Sequence, residues 1–407
     1  MGKARTVAGL DIGTTKICAF IAEVNGGPEP RILGYGQAPS EGLRRGVVVD
    51  LEKTVSSIES AVEAAEGMAG FEVREVVAGI AGDHIKSINS RGVVAVSRRD
   101  NEITAQDVAR ALEQAKAMAI PVDREIIHAI TQQFIVDDQD GVRDPLGMTG
   151  VRLEADVHII TGAVTAAKNI VKSINRSGLK VRDLVLQPLA SSHATLENDE
   201  RNMGVVLIDI GGGTTDVALF HEGSIRHTAI LPLGGSSVTN DIAIGLRTPF
   251  EKAEELKIAH GSALAARVDA AETLQVPGVG GREFKEISRQ LLATMIEPRM
   301  EEIFQLALKE VRRNSYYDYV SAGVVLTGGT ALLRDAAELC GEIFQAPVRV
   351  GLPRGVAELP DAAVDPRFST GVGLLLHAVQ EDPADGGGRA GGAGLKGIRQ
   401  WIADLVS

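Results

Sequence analysis

The chain has 407 residues, of which 44% are apolar and 24% charged, a composition typical of globular proteins. Its formal net charge of −12 argues against a general nucleic-acid binder, because there is no basic surplus to displace counterions from phosphate. Cys18 and Cys340 each lie in an apolar stretch, which favours buried thiols in a reducing compartment over a metal site.

The first predicted element is a β-hairpin near the start of the chain. Apolar runs at 6–10 and 17–21 flank a Gly-Thr turn and predict its two strands. Glycine lets the backbone approach a phosphate closely, and hydroxyl and ammonium groups can donate to phosphate oxygens. Asp11 would repel phosphate, so we expect it to hold Mg²⁺ through water. The residues of this turn that we expect to contact phosphate are Gly13, Thr14, Thr15 and Lys16.

Helices and strands alternate through the next part of the chain. Residues 51–68 are predicted to form an amphipathic helix and residues 73–81 a strand. The segment from about 84 to 158 is interpreted as an insertion with a small core of its own. It contains a predicted helix at 104–119, which Thr104 caps at the N-terminus.

A second Gly-Thr turn lies about 200 residues after the first, between apolar runs at 204–208 and 217–220. We expect Asp209 and Asp216 to join Asp11 in holding Mg²⁺. One such cluster alone would favour an ordinary hairpin turn, but two copies with matched flanks predict two similar lobes that close on one phosphate chain. The phosphate contacts expected from this turn are Gly211, Gly212, Gly213, Thr214 and Thr215.

A third glycine motif follows a predicted buried strand at 324–327. A helix is predicted from 331 to about 344, so that its N-terminus and nearby backbone N–H groups would face a ligand. Polar residues at 253–257 could contact an adenine or a ribose. The chain contains neither the P-loop nor the dinucleotide-binding fingerprint. The additional nucleotide contacts expected here are Gly235, Glu254, Lys257, Gly328, Gly329 and Thr330.

The last part of the chain combines a predicted linker with an amphipathic segment. Residues 381–394 are rich in Gly, Ala and Asp, which predicts flexibility. At about 100° per residue, the apolar side chains of residues 395–407 fall within an arc of roughly 140°. We expect this helix to bind a lipid surface rather than a partner or its own protein, and polymerisation to strengthen the binding. The predicted lipid-facing residues are Leu395, Ile398, Trp401, Ile402, Leu405 and Val406.

These motifs resemble those of the actin-like ATPase superfamily. Residues 11–16 and 209–216 resemble its two phosphate motifs, and residues 324–330 resemble its adenosine motif. Residues 186–191 and 369–373 resemble its two connecting segments. Within the superfamily, the chain resembles the FtsA family of bacterial cell-division proteins through its amphipathic tail and three shorter stretches. Those stretches are residues 46–50, 157–162 and 295–299.

The resemblance implies an α/β fold, the actin-like (ribonuclease H-like) two-lobed ATPase fold, with an insertion in each lobe. The insertion in lobe one is expected to be small and α+β, and the one in lobe two mostly helical. The implied division is a lobe one core (1A) at 1–83 and 159–198, an insertion (1C) at 84–158, a lobe two core (2A) at 199–237 and 320–368, an insertion (2B) at 238–319, a helix returning to lobe one at 369–380, a flexible linker at 381–394 and an amphipathic membrane-binding helix at 395–407.

The resemblance also implies a function. The chain would bind ATP and Mg²⁺, assemble with copies of itself into filaments, and tether the tubulin-like protein FtsZ to the inner face of the cytoplasmic membrane at the division site. It would be a peripheral membrane protein that contacts the lipid surface and no nucleic acid. The C-terminal tail of FtsZ would bind 2B, near Arg289 and Arg299, and other division proteins would approach 1C.

Two alternatives remain at this point. A sugar-kinase-like phosphotransferase would need a carboxylate as general base. The first connecting segment carries Gln187 instead, which could position a water but accepts a proton poorly, so at most a slow Mg²⁺-dependent ATPase is expected. The other alternative is an actin-like filament or pilus-assembly ATPase of a related family. The long insertion and the tail favour the FtsA family over it.

Overall fold

The computed structural model describes residues 5–25, 29–281 and 283–380. The predicted linker and membrane-binding helix, with Leu395, Ile398, Trp401, Ile402, Leu405 and Val406, lie outside the described residues. Among the helices that are described, none is both long enough and apolar enough to cross a bilayer.

The elements are numbered in chain order. The strands are β1 (Arg5–Ile12), β2 (Lys16–Val24), β3 (Arg31–Pro39), β4 (Leu43–Arg44), β5 (Val47–Val48), β6 (Glu75–Ile80), β7 (Lys86–Ala95), β8 (Arg124–Val136), β9 (Gln139–Val142), β10 (Arg152–Ala163), β11 (Lys180–Leu186), β12 (Val205–Ile210), β13 (Thr215–His221), β14 (Ser224–Leu231), β15 (Thr273–Val276), β16 (Lys285–Ser288), β17 (Val324–Thr327) and β18 (Val348–Val350). The α-helices are α1 (Leu51–Ala69), α2 (Ala105–Lys116), α3 (Val164–Arg176), α4 (Gln187–Thr195), α5 (Asn198–Met203), α6 (Gly235–Leu246), α7 (Phe250–His260), α8 (Arg289–Arg312), α9 (Ala336–Phe344) and α10 (Ser369–Gln380). Short 3₁₀ helices lie at Ala265–Arg267, Val279–Gly281, Ser315–Tyr319, Gly329–Leu332, Asp361–Ala363 and Pro366–Phe368.

The two lobes repeat one sheet topology. In lobe one the order is β3-β2-β1-β6-β11, and in lobe two it is β14-β13-β12-β17-β18. In both sheets the first three strands form an antiparallel meander, and the last two run parallel to the third strand of the meander, which is β1 in lobe one and β12 in lobe two. The predicted hairpins are β1–β2 and β12–β13. The prediction of two similar lobes is therefore confirmed.

The lobe one sheet has helices packed on both faces. Since successive side chains of a strand point to opposite sides, one strand contributes to both cores. On β1, Ala8, Leu10 and Ile12 join the core formed with α1 and α3, whereas Val7 joins the core formed with α4 and α10. Helix α10 is the predicted returning helix. Its Gly373 lies so close to α4 that a Cβ there would be 1.9 Å from the carbonyl oxygen of Ala190.

Each lobe carries an inserted region. In lobe one, the sheet β7-β10-β8-β9 packs against α2 around a separate apolar core, and we call this four-stranded sheet the insertion sheet. Helix α2 begins with the predicted cap, in which Thr104 and Asp107 exchange hydrogen bonds. In lobe two, helices α6, α7 and α8 share the core of that lobe. The hairpin β15–β16, which precedes α8, is not predicted by the sequence.

Candidate functional site

Both Gly-Thr turns line one cleft of about 660 Å³ between the lobes. The turns face each other closely, because a Cβ added to Gly212 would lie 2.3 Å from the Thr15 Cγ2 atom. A Cβ added to Gly213 would lie 2.5 Å from the Thr14 hydroxyl oxygen. Of the predicted site residues, those that line the cleft are Asp11, Gly13, Thr14, Thr15, Lys16, Gln187, Asp209, Gly211, Gly212, Gly213, Thr214, Asp216, Gly235, Glu254, Lys257, Gly328, Gly329 and Thr330.

Thr215 is the predicted phosphate contact that does not line the cleft. Its side chain is fully buried, and its hydroxyl donates to the carbonyl oxygen of Leu233 at 2.9 Å. This bond ties the start of β13 to the segment that leads into α6. The expectation that Thr215 contacts phosphate is therefore corrected, because its hydroxyl is already used inside lobe two.

Two buried aspartates at the base of the cleft take hydrogen bonds from the same helix, α4. The amide nitrogen of Gln187 donates to the Asp11 carboxylate at 3.0 Å, and the hydroxyl of Ser191 donates to Asp209 at 2.5 Å. Thr370 of α10 also donates to Asp209, at 3.1 Å. Gln187 and Ser191 are four residues apart, so they lie on one face of α4 and support one aspartate from each lobe.

The cleft disfavours negative charge on its own carboxylates. Burial raises the pKa of Asp11 to about 6; Lys16 opposes this shift, while Asp209 adds to it. Burial also raises the pKa of Asp209, although the hydroxyls of Ser191 and Thr370 stabilise its ionised form. The pKa of Asp216 lies well above its usual range, because of burial first and then of the two other carboxylates.

A cation would relieve this repulsion. One oxygen of Asp216 is buried and has no hydrogen-bond partner in the part of the chain that the structure describes. No group of three or more His, Cys, Asp or Glu side chains among the described residues is arranged to ligate a metal directly. The carboxylates thus fit a hydrated cation better than a directly bound one. Mg²⁺ held through water by Asp11, Asp209 and Asp216 stays a prediction.

Lys16 connects the first turn to the far side of the cleft. Its ammonium group donates to the carbonyl oxygen of Arg367 at 2.5 Å and lies 4.1 Å from the centroid of the Phe368 ring. In the same 3₁₀ helix, the carbonyl oxygen of Pro366 accepts from the backbone N–H of Gly328 at 3.2 Å. Pro366 and Arg367 line the cleft, but sequence reasoning missed them because they lie just outside the recognised connecting segment, which begins at residue 369.

Another part of the cleft lining combines an ion pair with apolar side chains. The Lys257 ammonium lies 2.7 Å from the Glu254 carboxylate and donates to the carbonyl oxygen of Gly235 at 3.1 Å. Burial lowers the pKa of Lys257, and Glu254 opposes this shift. Such an arrangement suits a planar base and its ribose. Sequence reasoning, which searched for polar motifs, missed the apolar lining residues Phe250, Ile258, Leu332 and Leu333.

The helix predicted from residue 331 is interrupted. Residues Gly329–Leu332 form a 3₁₀ helix, and α9 begins only at Ala336. The break occurs at Asp335, which has a left-handed backbone with φ 62° and accepts hydrogen bonds from Ser262 and Arg267. The prediction that an α-helix N-terminus directly follows the glycine pair is therefore wrong.

The two arginines predicted to receive a peptide have different environments. Arg289 is buried, and its guanidinium lies 2.6 Å from Glu272 and donates to the carbonyl oxygen of His260 at 2.9 Å. We therefore withdraw Arg289 from the predicted FtsZ-binding surface, because its charge is used inside the lobe. Arg299 is partly exposed and pairs with Asp241 at 2.7 Å and with Glu302.

Comparison with known proteins identifies the family. The family model described as cell division protein FtsA matches residues 206–373, and the one described as an SHS2 domain inserted in FtsA matches residues 82–161. The cell division protein FtsA of Pseudomonas aeruginosa is 50% identical over 93% of this chain and 90% of its own length. The chain belongs to the FtsA family. The cell division protein FtsA of Neisseria meningitidis serogroup B is 45% identical over 98% of both chains, and that of Escherichia coli K12 is 38% identical over 99% of this chain and 97% of its own length.

Solved structures confirm the predicted actin-like fold. A chain of the PilM-PilN type IV pilus biogenesis complex aligns with a TM-score of 0.67 at 18% identity, covering 92% of this chain and 98% of its own. MreB 5 of Spiroplasma citri bound to AMPPNP aligns with a TM-score of 0.59 at 15% identity, covering 95% of this chain and 100% of its own. At these identities the likeness concerns the fold alone.

Proposed function

We propose that this FtsA-family protein is an ATP-binding, polymer-forming scaffold that tethers FtsZ filaments to the inner face of the cytoplasmic membrane and helps to recruit later division proteins. It acts as a peripheral membrane protein at the division site. The observation that carries the proposal is that two Gly-Thr turns, one from each lobe of an FtsA-family chain, meet across one cleft.

The nucleotide is assigned to this cleft with its phosphates between the turns. Thr14, Thr15 and Lys16 supply hydroxyl and ammonium donors, and residues 212–214 supply backbone N–H groups with the Thr214 hydroxyl. Mg²⁺ held near the three aspartates would neutralise phosphate charge. The base and ribose lie towards the pair Glu254–Lys257 and residues 328–330. The structural likeness to MreB 5, which was solved with AMPPNP, supports this assignment.

Turnover of the nucleotide is expected to be slow at most. Gln187 contacts Asp11 and lines the cleft, where it could orient a water. An amide is a poor proton acceptor, so Gln187 cannot serve as the general base that a sugar-kinase-like transfer needs. Membership of the FtsA family also places the chain outside the related pilus-assembly families.

Attachment to the membrane is assigned to residues 395–407. The support is the sequence pattern, in which the apolar residues share one face of a helix. One short helix binds lipid weakly, whereas several helices held in one polymer bind together through their effective concentration. The proposed binding site for the FtsZ tail is on 2B and includes Arg299. Other division proteins are proposed to bind 1C. The bounds of both subdomains are those given in the sequence analysis.

Sedimentation with anionic vesicles tests the proposal, with and without ATP–Mg²⁺ and purified FtsZ. The full chain should sediment with vesicles, more completely with ATP, and should bring FtsZ with it. Ile402→Asp changes the apolar face of the tail and should abolish sedimentation, whereas the matched control Gln400→Asp adds the same charge to the polar face and should change it little. A full chain that stayed in solution under every condition would overturn the tether.

A further inference from the structure

The insertion sheet belongs to lobe one in sequence but also contacts lobe two along β14. Strands β7 and β8 of this sheet provide hydrogen bonds that cross from one lobe to the other. The Ser87 hydroxyl donates to the carbonyl oxygen of Thr228 at 2.7 Å, the Asn89 amide to that of Arg226 at 3.1 Å, the Gln132 amide to that of Ile225 at 2.7 Å, and the Ser224 hydroxyl to that of Gln132 at 3.1 Å. We call this set of contacts the seam.

His158 of β10 lies at the centre of the seam. Its Nδ1 atom is 2.6 Å from the Asn89 side-chain oxygen, and its Nε2 atom is 2.9 Å from the Thr228 hydroxyl. The amide oxygen can only accept, so Nδ1 carries the proton and Nε2 accepts from Thr228. Burial lowers the pKa of His158 to about 3, which keeps the ring neutral. A buried polar group with both partners present fixes one relative position of the two lobes.

The insertion sheet also supports lobe one beside the cleft. The Nε2 atom of His128, on β8, accepts from the backbone N–H of Leu186 at 3.0 Å, and both residues are buried. Leu186 directly precedes Gln187, whose amide contacts Asp11. The insertion sheet therefore contacts both sides of the cleft. In lobe one it contacts the backbone next to Gln187, and in lobe two it contacts β14, which leads to the second Gly-Thr turn.

Strand β14 connects the seam to the second Gly-Thr turn over a short distance. Leu231, at its end, pairs with Thr215, and the Thr215 hydroxyl donates to the carbonyl oxygen of Leu233. The backbone N–H of Gly235 then donates to the carbonyl oxygen of Gly211 at 2.9 Å. A movement of β14 relative to the insertion sheet would therefore displace the turn that faces Thr14 and Thr15.

We infer that the insertion sheet is a clamp that holds the two lobes in the arrangement in which their turns meet, so that the insertion and the nucleotide cleft are energetically linked. The inference rests on the proposed nucleotide binding and adds a coupling to it. Because linkage is reciprocal, a protein that binds the insertion and loosens the seam weakens nucleotide binding, and a bound nucleotide resists that loosening by the same factor.

Two adjacent glutamines of β8 provide a matched test in the full-length protein. Gln132 donates across the seam to lobe two, whereas Gln133 donates to Asp156 at 2.9 Å and accepts from the backbone of Gly141, all within the insertion. Gln132→Ala should weaken ATP–Mg²⁺ binding about fivefold or more and raise hydrogen exchange in residues 224–231. Gln133→Ala should leave both at the wild-type level.

The second variant is Ser87→Ala, which removes only one hydroxyl from the seam and should shift both quantities in the same direction by less. It keeps the test open if Gln132→Ala fails to fold. Variants of Gln132 and Ser87 with wild-type ATP affinity and unchanged exchange in β14 would overturn the clamp. A wild-type protein that does not bind ATP would instead overturn the proposed nucleotide function on which the clamp rests.

Discussion

The two Gly-Thr turns share one backbone geometry but contribute different groups to the cleft. In the first, the N–H of Gly13 donates to the carbonyl oxygen of Lys16; in the second, that of Gly211 donates to Thr214, and both distances are 3.0 Å. The two central residues are Thr14 and Thr15 in the first turn but glycines in the second. The turns can meet closely because the side chains of one occupy the space that the other leaves free.

The strands below the turns differ in the same way. In lobe one, Asp11 pairs across the hairpin with Cys18, and in lobe two Asp209 pairs with Asp216. Burial raises the pKa of the Cys18 thiol to about 12, so it stays neutral where lobe two carries a second carboxylate. The comparison shows that the repeated hairpin ends its first turn with a cation, Lys16, in lobe one and carries a second carboxylate, Asp216, in lobe two.

The largest effect on ATP affinity is expected at Gly212, where the side chain of Thr15 occupies the space that a Cβ atom would take. Gly212→Asp would place a carboxylate against Thr15 between the turns, so ATP affinity should fall on the order of 100-fold or more in an equilibrium binding assay. Gly211→Ala is the control, because its Cβ would lie 3.4 Å from its nearest neighbour, an ordinary contact. Equal losses in both variants would contradict the difference between the turns.

An effect on the free energy of unfolding, rather than on ATP affinity, is expected from Asp11 of β1. The pKa of Asp11 is raised to about 6, so without Mg²⁺ the folded state binds a proton between pH 4 and 6 that the unfolded state has released. Stability therefore falls as pH rises through this window, by about 3 kcal/mol from this group. Asp11→Asn should remove that decline in urea unfolding measured in chelator. An unchanged pH profile would contradict the raised pKa.

The smallest effect separates two threonines that look equivalent in sequence. Thr215→Val removes a buried hydrogen bond to Leu233 and should lower the free energy of unfolding by about 1 kcal/mol. Because the strand pairing of Thr215 with Leu231 remains, its ATP affinity should change less than that of Thr15→Val. Thr15 is at an exposed position of the first turn. Thr15→Val should therefore leave the free energy of unfolding almost unchanged but weaken ATP binding about fivefold. A loss of ATP affinity in Thr215→Val as large as that in Thr15→Val would return Thr215 to the site.

The misplaced threonine shows where sequence reasoning ended. The pairs Thr14–Thr15 and Thr214–Thr215 invite alignment, but strand pairing makes Thr215 equivalent to Ile17, since these residues pair with Ile210 and Ile12. The hairpins themselves were predictable from their apolar flanks and glycines. The register was not, because it depends on which residues close the turn.

Other features that were missed depend on contacts distant in sequence. The burial of Arg289 follows from its pairing with Glu272, and the sequence gives no sign of the short hairpin β15–β16 between them. The break before α9 depends on Ser262 and Arg267, more than 60 residues away. By contrast, the Thr104 cap and the returning helix α10 were predictable, because a local spacing or a continuous apolar run specifies them.

The crossing of α4 and α10 constrains how the protein can move. The backbone passes from one half to the other after α4 and returns before α10, and the two helices touch at Gly373 with no side chain between them. If one lobe slid past the other, both crossings of the chain would be strained at once. A rotation of the lobes about the contact between α4 and α10 would strain neither crossing. We therefore expect any such rotation to be centred on Gly373, where even a methyl group would push α4 and α10 apart.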